Sequence, residues 1–395
     1  MYIYKKERHS AYFNAMSIIF GFLSSIIIGL KFSQLTNVVS NIFYLWLFII
    51  AIYSFVFALY NRASISFLGV WFLIFGIFSL IFNDVNELFR PYQRLFLFII
   101  MFIGYGPIFQ SKANNDFRYL TLKFIQYWFI ILTIGSFITY FLNVPFAFGR
   151  AGFKGLTPHS MDLSPISALT ALYAIDQYVR TSVIKKRYIL VVILLISIIT
   201  MFMSASRGAI LSFIFSCIVY TLYRSNKIKK AFLFSLLLLA LIGAMVKMNP
   251  FNMLDGLNAK MERTESDDDF TGGRSNKMEP RIMEFEESPL FGCGFSTMKY
   301  TQVNSDGHFE PGSGWIFILS SMGLLGFITA ILLNINALNN CWGYTHMAFW
   351  AATCIFFIFH TMIEGYSLTV GNPLCVYMWT TIGLISNKNL LQRYD

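Results

Sequence analysis

From Tyr188 to Tyr223 the chain runs for 36 residues with a single charge, Arg207, inside the string Ser204-Ala205-Ser206-Arg207-Gly208. A hydrocarbon layer of about 30 Å takes about 20 helical residues to cross. This stretch is therefore too long for one crossing and suits two short helices joined by a tight polar turn. An arginine held at bilayer depth costs roughly 3 kcal/mol unless it meets protein, water or an anion. The turn is then either a tip reaching into headgroups or a functional site.

The rest of the chain has the same character. Hydrophobic residues make up 56% of 395 and charged ones 13%, the composition of a polytopic membrane protein and not of a soluble enzyme with an anchor. Apolar stretches near 14–30, 38–59, 65–82, 95–109, 120–142, 160–179, 188–203, 208–223, 231–247, 314–338, 344–362 and 372–386 predict an all-α bundle of about 12 transmembrane helices. A single integral membrane domain over 1–395 is expected, with 248–313 as one long extracytoplasmic loop within it. Met1 to Arg8 is polar and basic, so the apolar run after it is expected to be a retained first helix and not a cleaved signal.

Lysine and arginine placement orients the bundle. With the N-terminus in the cytoplasm, sixteen basic residues fall on inner segments, among them Lys5, Arg62, Arg118, Arg180, Lys185–Arg187, Arg224 and Lys388. Six fall on short outer loops: Lys31, Arg90, Arg94, Arg150, Lys154 and Arg207. Both termini are expected inside and the Arg207 turn outside. The net charge of +10 follows from this asymmetry. No basic-aromatic module of a nucleic-acid binder is present, and no nucleic-acid partner is expected.

Residues 248–313 are locally acidic, with twelve acids against six bases between Asp255 and Glu310. The run Asp267-Asp268-Asp269 reads as solvated surface. Lys277 to Glu287 has helical character, and Pro289-Leu-Phe-Gly-Cys-Gly294 reads as a glycine-rich turn. Five cysteines and five histidines are scattered without paired or metal-ligand spacing, so neither a disulfide framework, a metal site nor a cofactor is expected.

Ser-Ala-Ser-Arg207-Gly-Ala, then Gly-Gly-Arg274, then Pro289-Leu-Phe-Gly-Cys-Gly294 and Gly323-Leu-Leu-Gly326, together resemble the O-antigen polymerase and ligase superfamily. Gly155-Leu-Thr-Pro-His-Ser160 resembles an outer turn these proteins carry. The resemblance covers roughly residues 150 to 330. It implies a GT-C-like, metal-independent membrane glycosyltransferase acting on undecaprenyl-diphosphate-linked oligosaccharides at the outer face of the bacterial inner membrane. A chain-length regulator and a flippase are its implied membrane neighbours. Ligases of the superfamily typically carry a histidine before the helix that follows the long loop, often beside an asparagine. Here His308 is followed by Phe309-Glu310, which favours polymerase over ligase.

That chemistry needs fixed cations where a diphosphate leaves and an acceptor for the attacking hydroxyl's proton. Arginine suits the first because its planar fork pairs with phosphate oxygens and stays charged. Arg207 opens a predicted helix whose N-terminal amides point to the same place, with Ser204 and Ser206 as added donors or caps. Arg274 and Arg281, seven residues apart, share a face if their segment is helical, and either close over the diphosphate or pair with nearby glutamates. Arg150 lies on the same side. Candidates for the base are His308, Glu310 and Glu364, while Trp315 is a candidate platform for a sugar ring. His159 and His360 read as structural. A lipid-linked oligosaccharide transporter and a membrane scaffold are the competing classes.

Overall fold

A computed structural model describes residues 2–149, 152–225, 275–300 and 311–388 and the single positions 243 and 247, with side chains from residue 15 onward. Twelve α-helices lie within these residues. They are α1 (Tyr2–Lys31), α2 (Thr36–Tyr60), α3 (Phe67–Ile81), α4 (Pro91–Gly104), α5 (Lys112–Phe141), α6 (Ser160–Arg180), α7 (Ile184–Met203), α8 (Arg207–Ser225), α9 (Ser275–Glu287), α10 (Gly314–Cys341), α11 (Ala348–Ile363) and α12 (Pro373–Ile385). Two antiparallel two-residue pairings, Ser64–Ile65 with Phe109–Gln110 and Phe148–Gly149 with Gly152–Phe153, tie loops together.

Local sequence sets many of the boundaries. Ser66, Ser111 and Ser313 accept hydrogen bonds from the backbone N–H three residues on, and Asn372 from that of Leu374, so each satisfies a donor that a helix start leaves open. Pro91 and Pro373 occupy first helical positions, where the missing N–H costs nothing.

Six helices, among them α2, α5, α7, α8 and α10, are long and apolar enough to cross a membrane. The segments Ala15–Lys31, Phe67–Ile81 and Pro373–Ile385 are apolar but shorter. The expected crossing at 231–247 falls outside the described residues apart from two positions. Helix α2 shows what its surface faces: Leu45, Phe48, Ile52, Phe55 and Leu59 are exposed while Phe43, Leu47, Ile50 and Ser54 are buried. An apolar stripe at helical spacing on the outside is unfavourable in water and suited to lipid. The chain is a polytopic helical membrane protein.

Small residues let the helices approach. Gly21 and Gly29 of α1 sit against Leu120 and Trp128 of α5, so these two helices run parallel. Helix α7 packs along α6, and α8 along α11. The two helices predicted as a hairpin thus share a tight turn but diverge from it. Contacts sort the helix ends into two groups. At one end Gln34 bonds to Gly155 and Thr157, Arg94 to Ser296, and Ser367 to Gly314. At the other, Arg118 and Gln110 reach Gly383, and Arg180 reaches His346.

Candidate functional site

The first of these ends carries the Arg207 turn. Helix α7 closes with Ser204, whose buried hydroxyl donates to the Met201 carbonyl at 2.8 Å. Ala205 follows at φ 54, a left-handed conformation that costs a residue with a Cβ roughly 1 kcal/mol. Ser206 is buried, and its carbonyl accepts from Ile210 N–H at 3.3 Å. Arg207 then opens α8 with its side chain exposed, and among the described residues none holds it by a hydrogen bond or ion pair. Gly208 lies against Ile363, so the start of α8 sits beside the end of α11, where Glu364 follows.

The glycine-rich turn and the Gly323 motif meet each other. Gly323 has φ 65 and ψ −169, which breaks α10 into two helical pieces. Cys293 and Gly294 donate to the Ser320 and Ser321 carbonyls at 2.7 and 3.3 Å, and Leu324 N–H donates back to Pro289 at 2.8 Å. These bonds satisfy backbone groups that a break at membrane depth would otherwise orphan. A Cβ on Gly292 would fall on the Ser321–Met322 backbone, and one on Gly323 on that of Leu290. Both positions also lie at positive φ, so glycine is required twice over.

Helix α9 forms as expected, and Arg281 on it turns inward. It is fully buried, donates to Glu284 at 2.7 Å, to the Thr297 carbonyl at 2.7 Å and to Ser320 at 3.2 Å, and lies over the Phe317 ring. Burial lowers its pKa from the ordinary arginine value while the Glu284 charge opposes that shift. Glu284 in turn accepts from Lys299 N–H at 2.6 Å. The arrangement is a buried ion pair holding the 293–300 turn, which is the pairing with a neighbouring glutamate that the sequence left open. Burial pushes the nearby Cys293 thiol up to about 12, so it stays neutral.

A two-lobed cleft opens at the same end. The larger lobe, about 520 Å³, is walled by Lys31, Tyr44, Arg94, Ser296 and the turn from Leu368 to Pro373. The smaller, about 220 Å³, is walled by Pro311, His360, Glu364 and Tyr366. His159, Asp162, Thr369 and Asn372 line both and mark the junction. Lys31 donates to the Ser40 hydroxyl at 2.6 Å, and Arg94 to the Ser296 carbonyl at 3.2 Å. The buried His360 ring pairs with the Tyr366 hydroxyl at 2.8 Å and stacks on Phe356. The cleft therefore presents cations in one lobe and two carboxylates, Asp162 and Glu364, at the junction and in the other.

Residues 192–331 match the family described as O-antigen ligase. The match supports the O-antigen ligase and polymerase superfamily that the motifs resemble. No curated protein matches the chain. The matched segment contains Arg207, Arg281 and both interlocked glycine motifs, whereas Lys31, Arg94, His159, Asp162 and Glu364 lie outside it.

Of the sequence candidates, the structure brings Arg207 and Glu364 to neighbouring positions. Trp315 packs on α11 with its indole N–H donating to the Ile358 carbonyl at 2.9 Å. Arg150, Arg274, His308 and Glu310 lie outside the described residues, as does Asp267–Asp269. Asp162 was legible as a carboxylate inside an apolar stretch, a signal of function in a membrane helix. Lys31 and Arg94 had only their place on outer loops to mark them. His159, read as structural, lines both lobes.

Proposed function

We propose that this chain polymerises undecaprenyl-diphosphate-linked oligosaccharide repeat units of a surface polysaccharide, O-antigen or capsule, at the outer face of the bacterial cytoplasmic membrane. In the step proposed, an acceptor sugar hydroxyl forms a bond to the donor's anomeric carbon as the bond from that carbon to the diphosphate oxygen breaks. The hydroxyl proton passes to a base, and the diphosphate leaves with the electron pair.

The observation that carries this reading is the exposed Arg207 at the first position of α8, beside the end of α11 and within the matched segment. A guanidinium at a helix N-terminus, held by no ion pair among the described residues, favours a diphosphate as negative charge gathers on it. Arg150 and Arg274 are proposed to complete that cradle, with Ser206 at its edge. Glu364 is the proposed base within the described residues, and His308 and Glu310 are the candidates on the loop. The proposal includes a GT-C-like bundle of twelve crossings with both termini cytoplasmic and catalysis without a metal.

The family description favours a second reading, a ligase transferring finished glycan to lipid A core. A deletion strain of the source bacterium separates the two on a lipopolysaccharide or capsule gel. One repeat unit on the core marks a lost polymerase; bare core with accumulated lipid-linked polymer marks a lost ligase. Wild-type banding contradicts both.

A further inference from the structure

We propose that the larger lobe of the cleft is a second phosphate site, which holds the diphosphate that the acceptor keeps throughout the reaction. This rests on the polymerase reading, in which both substrates are lipid-linked. Only the donor loses its diphosphate, so an enzyme joining two such lipids handles two diphosphates at once, one departing and one retained.

The larger lobe has the chemistry for the retained one. Lys31 is almost wholly buried, 7% exposed, yet it lines the lobe. Its ammonium is oriented by the Ser40 hydroxyl at 2.6 Å and the Thr36 carbonyl at 3.3 Å, and among the described residues no carboxylate pairs with it. Arg94 lines the same lobe from α4, its guanidinium steadied by the Ser296 carbonyl and hydroxyl at 3.2 and 3.3 Å. Two cations from separate helices line this one cavity, and an anion bound there is attracted to both. Low local polarity strengthens charge-assisted hydrogen bonds to phosphate.

Among the described residues the carboxylate on this lobe is Asp162, at the junction with the smaller lobe. A carboxylate repels phosphate and accepts from sugar hydroxyls. Its place therefore orders an acceptor lipid: diphosphate between Lys31 and Arg94, first sugar against Asp162, later sugars toward Glu364. Past Glu364 comes Ile363, which touches Gly208, the residue after Arg207. The two cationic sites thus bracket the carboxylates, with the acceptor chain running from one to the other.

The test uses full-length protein in phosphatidylcholine nanodiscs with Lys31→Met, Arg94→Gln and Leu97→Trp, Leu97 being a wall residue of the larger lobe that the indole would fill. Binding of undecaprenyl diphosphate, and separately of phosphatidylglycerol, is read by native mass spectrometry against wild type. Turnover of lipid-linked repeat units gives KM for acceptor and donor. Loss of a charge-assisted pair predicts that each charge variant weakens undecaprenyl diphosphate binding about 10-fold or more. Acceptor KM is predicted to rise by a similar factor while donor KM and kcat hold. Lys31→Arg is predicted to restore most of the binding, which a mere folding defect in Lys31→Met would not explain. Leu97→Trp, with all charges intact, is predicted to block the same ligand. Unchanged undecaprenyl diphosphate binding in both Arg94→Gln and Leu97→Trp overturns the site. Loss of phosphatidylglycerol alone assigns the lobe to a bulk lipid headgroup and also overturns the proposal. If wild type turns over no repeat units, the polymerase reading fails, while the binding arm still decides the phosphate site.

Discussion

Two arginines at opposite ends of the bundle show how differently one side chain can be used. Arg118 is fully buried and saturated by backbone: its Nε donates to Tyr105 at 3.0 Å, Nη1 to Gly383 at 3.5 Å, and Nη2 to Gly106 and Phe109 at 2.5 and 2.9 Å, with Asn115 Oδ1 at 3.0 Å from Nη1. Nearby on that end, Arg180 pairs with Asp176 at 2.7 Å and donates to the His346 carbonyl, and Arg224 reaches that of Thr345. These cations join helix ends. Arg207, by contrast, is exposed at a helix start, and its guanidinium is bonded to no other described residue. A guanidinium whose donors are spent on carbonyls is part of the fold; one left open at a helix N-terminus is available to an anion.

Arg118 carries the larger structural load of the two. Arg118→Met leaves several buried carbonyls without a donor, each costing about 1–3 kcal/mol. The expected outcome is little or no folded protein by size-exclusion chromatography in detergent. Arg207→Ala is expected to elute as wild type. Equal losses in both variants would erase the distinction.

Arg281 lies at the same end as Arg207 but is as buried as Arg118, and it is held by the Glu284 carboxylate. Arg281→Met strands the Glu284 carboxylate in the interior, a loss of about 3–5 kcal/mol that thermal unfolding in detergent would register as a large drop in Tm. Arg281→Met with Glu284→Gln is expected to recover much of that drop, since the buried charge is gone. A double variant as unstable as the single one would show that Arg281 works through other contacts.

Much of the fold was legible because apolar length and helical period are local properties of sequence. The Arg207 turn, the helix within 277–287 and the glycine-rich turn at Pro289–Gly294 all appear where expected. The divergence of α7 from α8 was not legible, since nothing in the turn says which neighbours each helix will take. The burial of Arg281 was visible only as one of several possible glutamate pairings. The cleft was hidden for a different reason: Lys31, Arg94, Asp162 and Glu364 come from α1, α4, α6 and the end of α11, and only tertiary packing brings them together. The interlocked Gly292 and Gly323 could be read as motifs but not as partners.

The smallest expected effect is at Trp315. Its indole N–H is committed to the Ile358 carbonyl, so Trp315→Phe is predicted to cost about 1 kcal/mol of stability and to leave acceptor KM unchanged. A raised KM at unchanged Tm would return Trp315 to sugar binding.

In the reaction proposed above, Arg207 stabilises the departing lipid diphosphate. The most direct measurement of that role is chain growth by purified protein in nanodiscs supplied with undecaprenyl-diphosphate-linked repeat units, with a chelator and without nucleotide. Wild type is predicted to build a ladder of products, Arg207→Ala to build none while remaining folded and membrane-bound, and Arg207→Lys to recover part of the rate because a point charge cannot replace the planar fork. A normal ladder from Arg207→Ala would contradict the account.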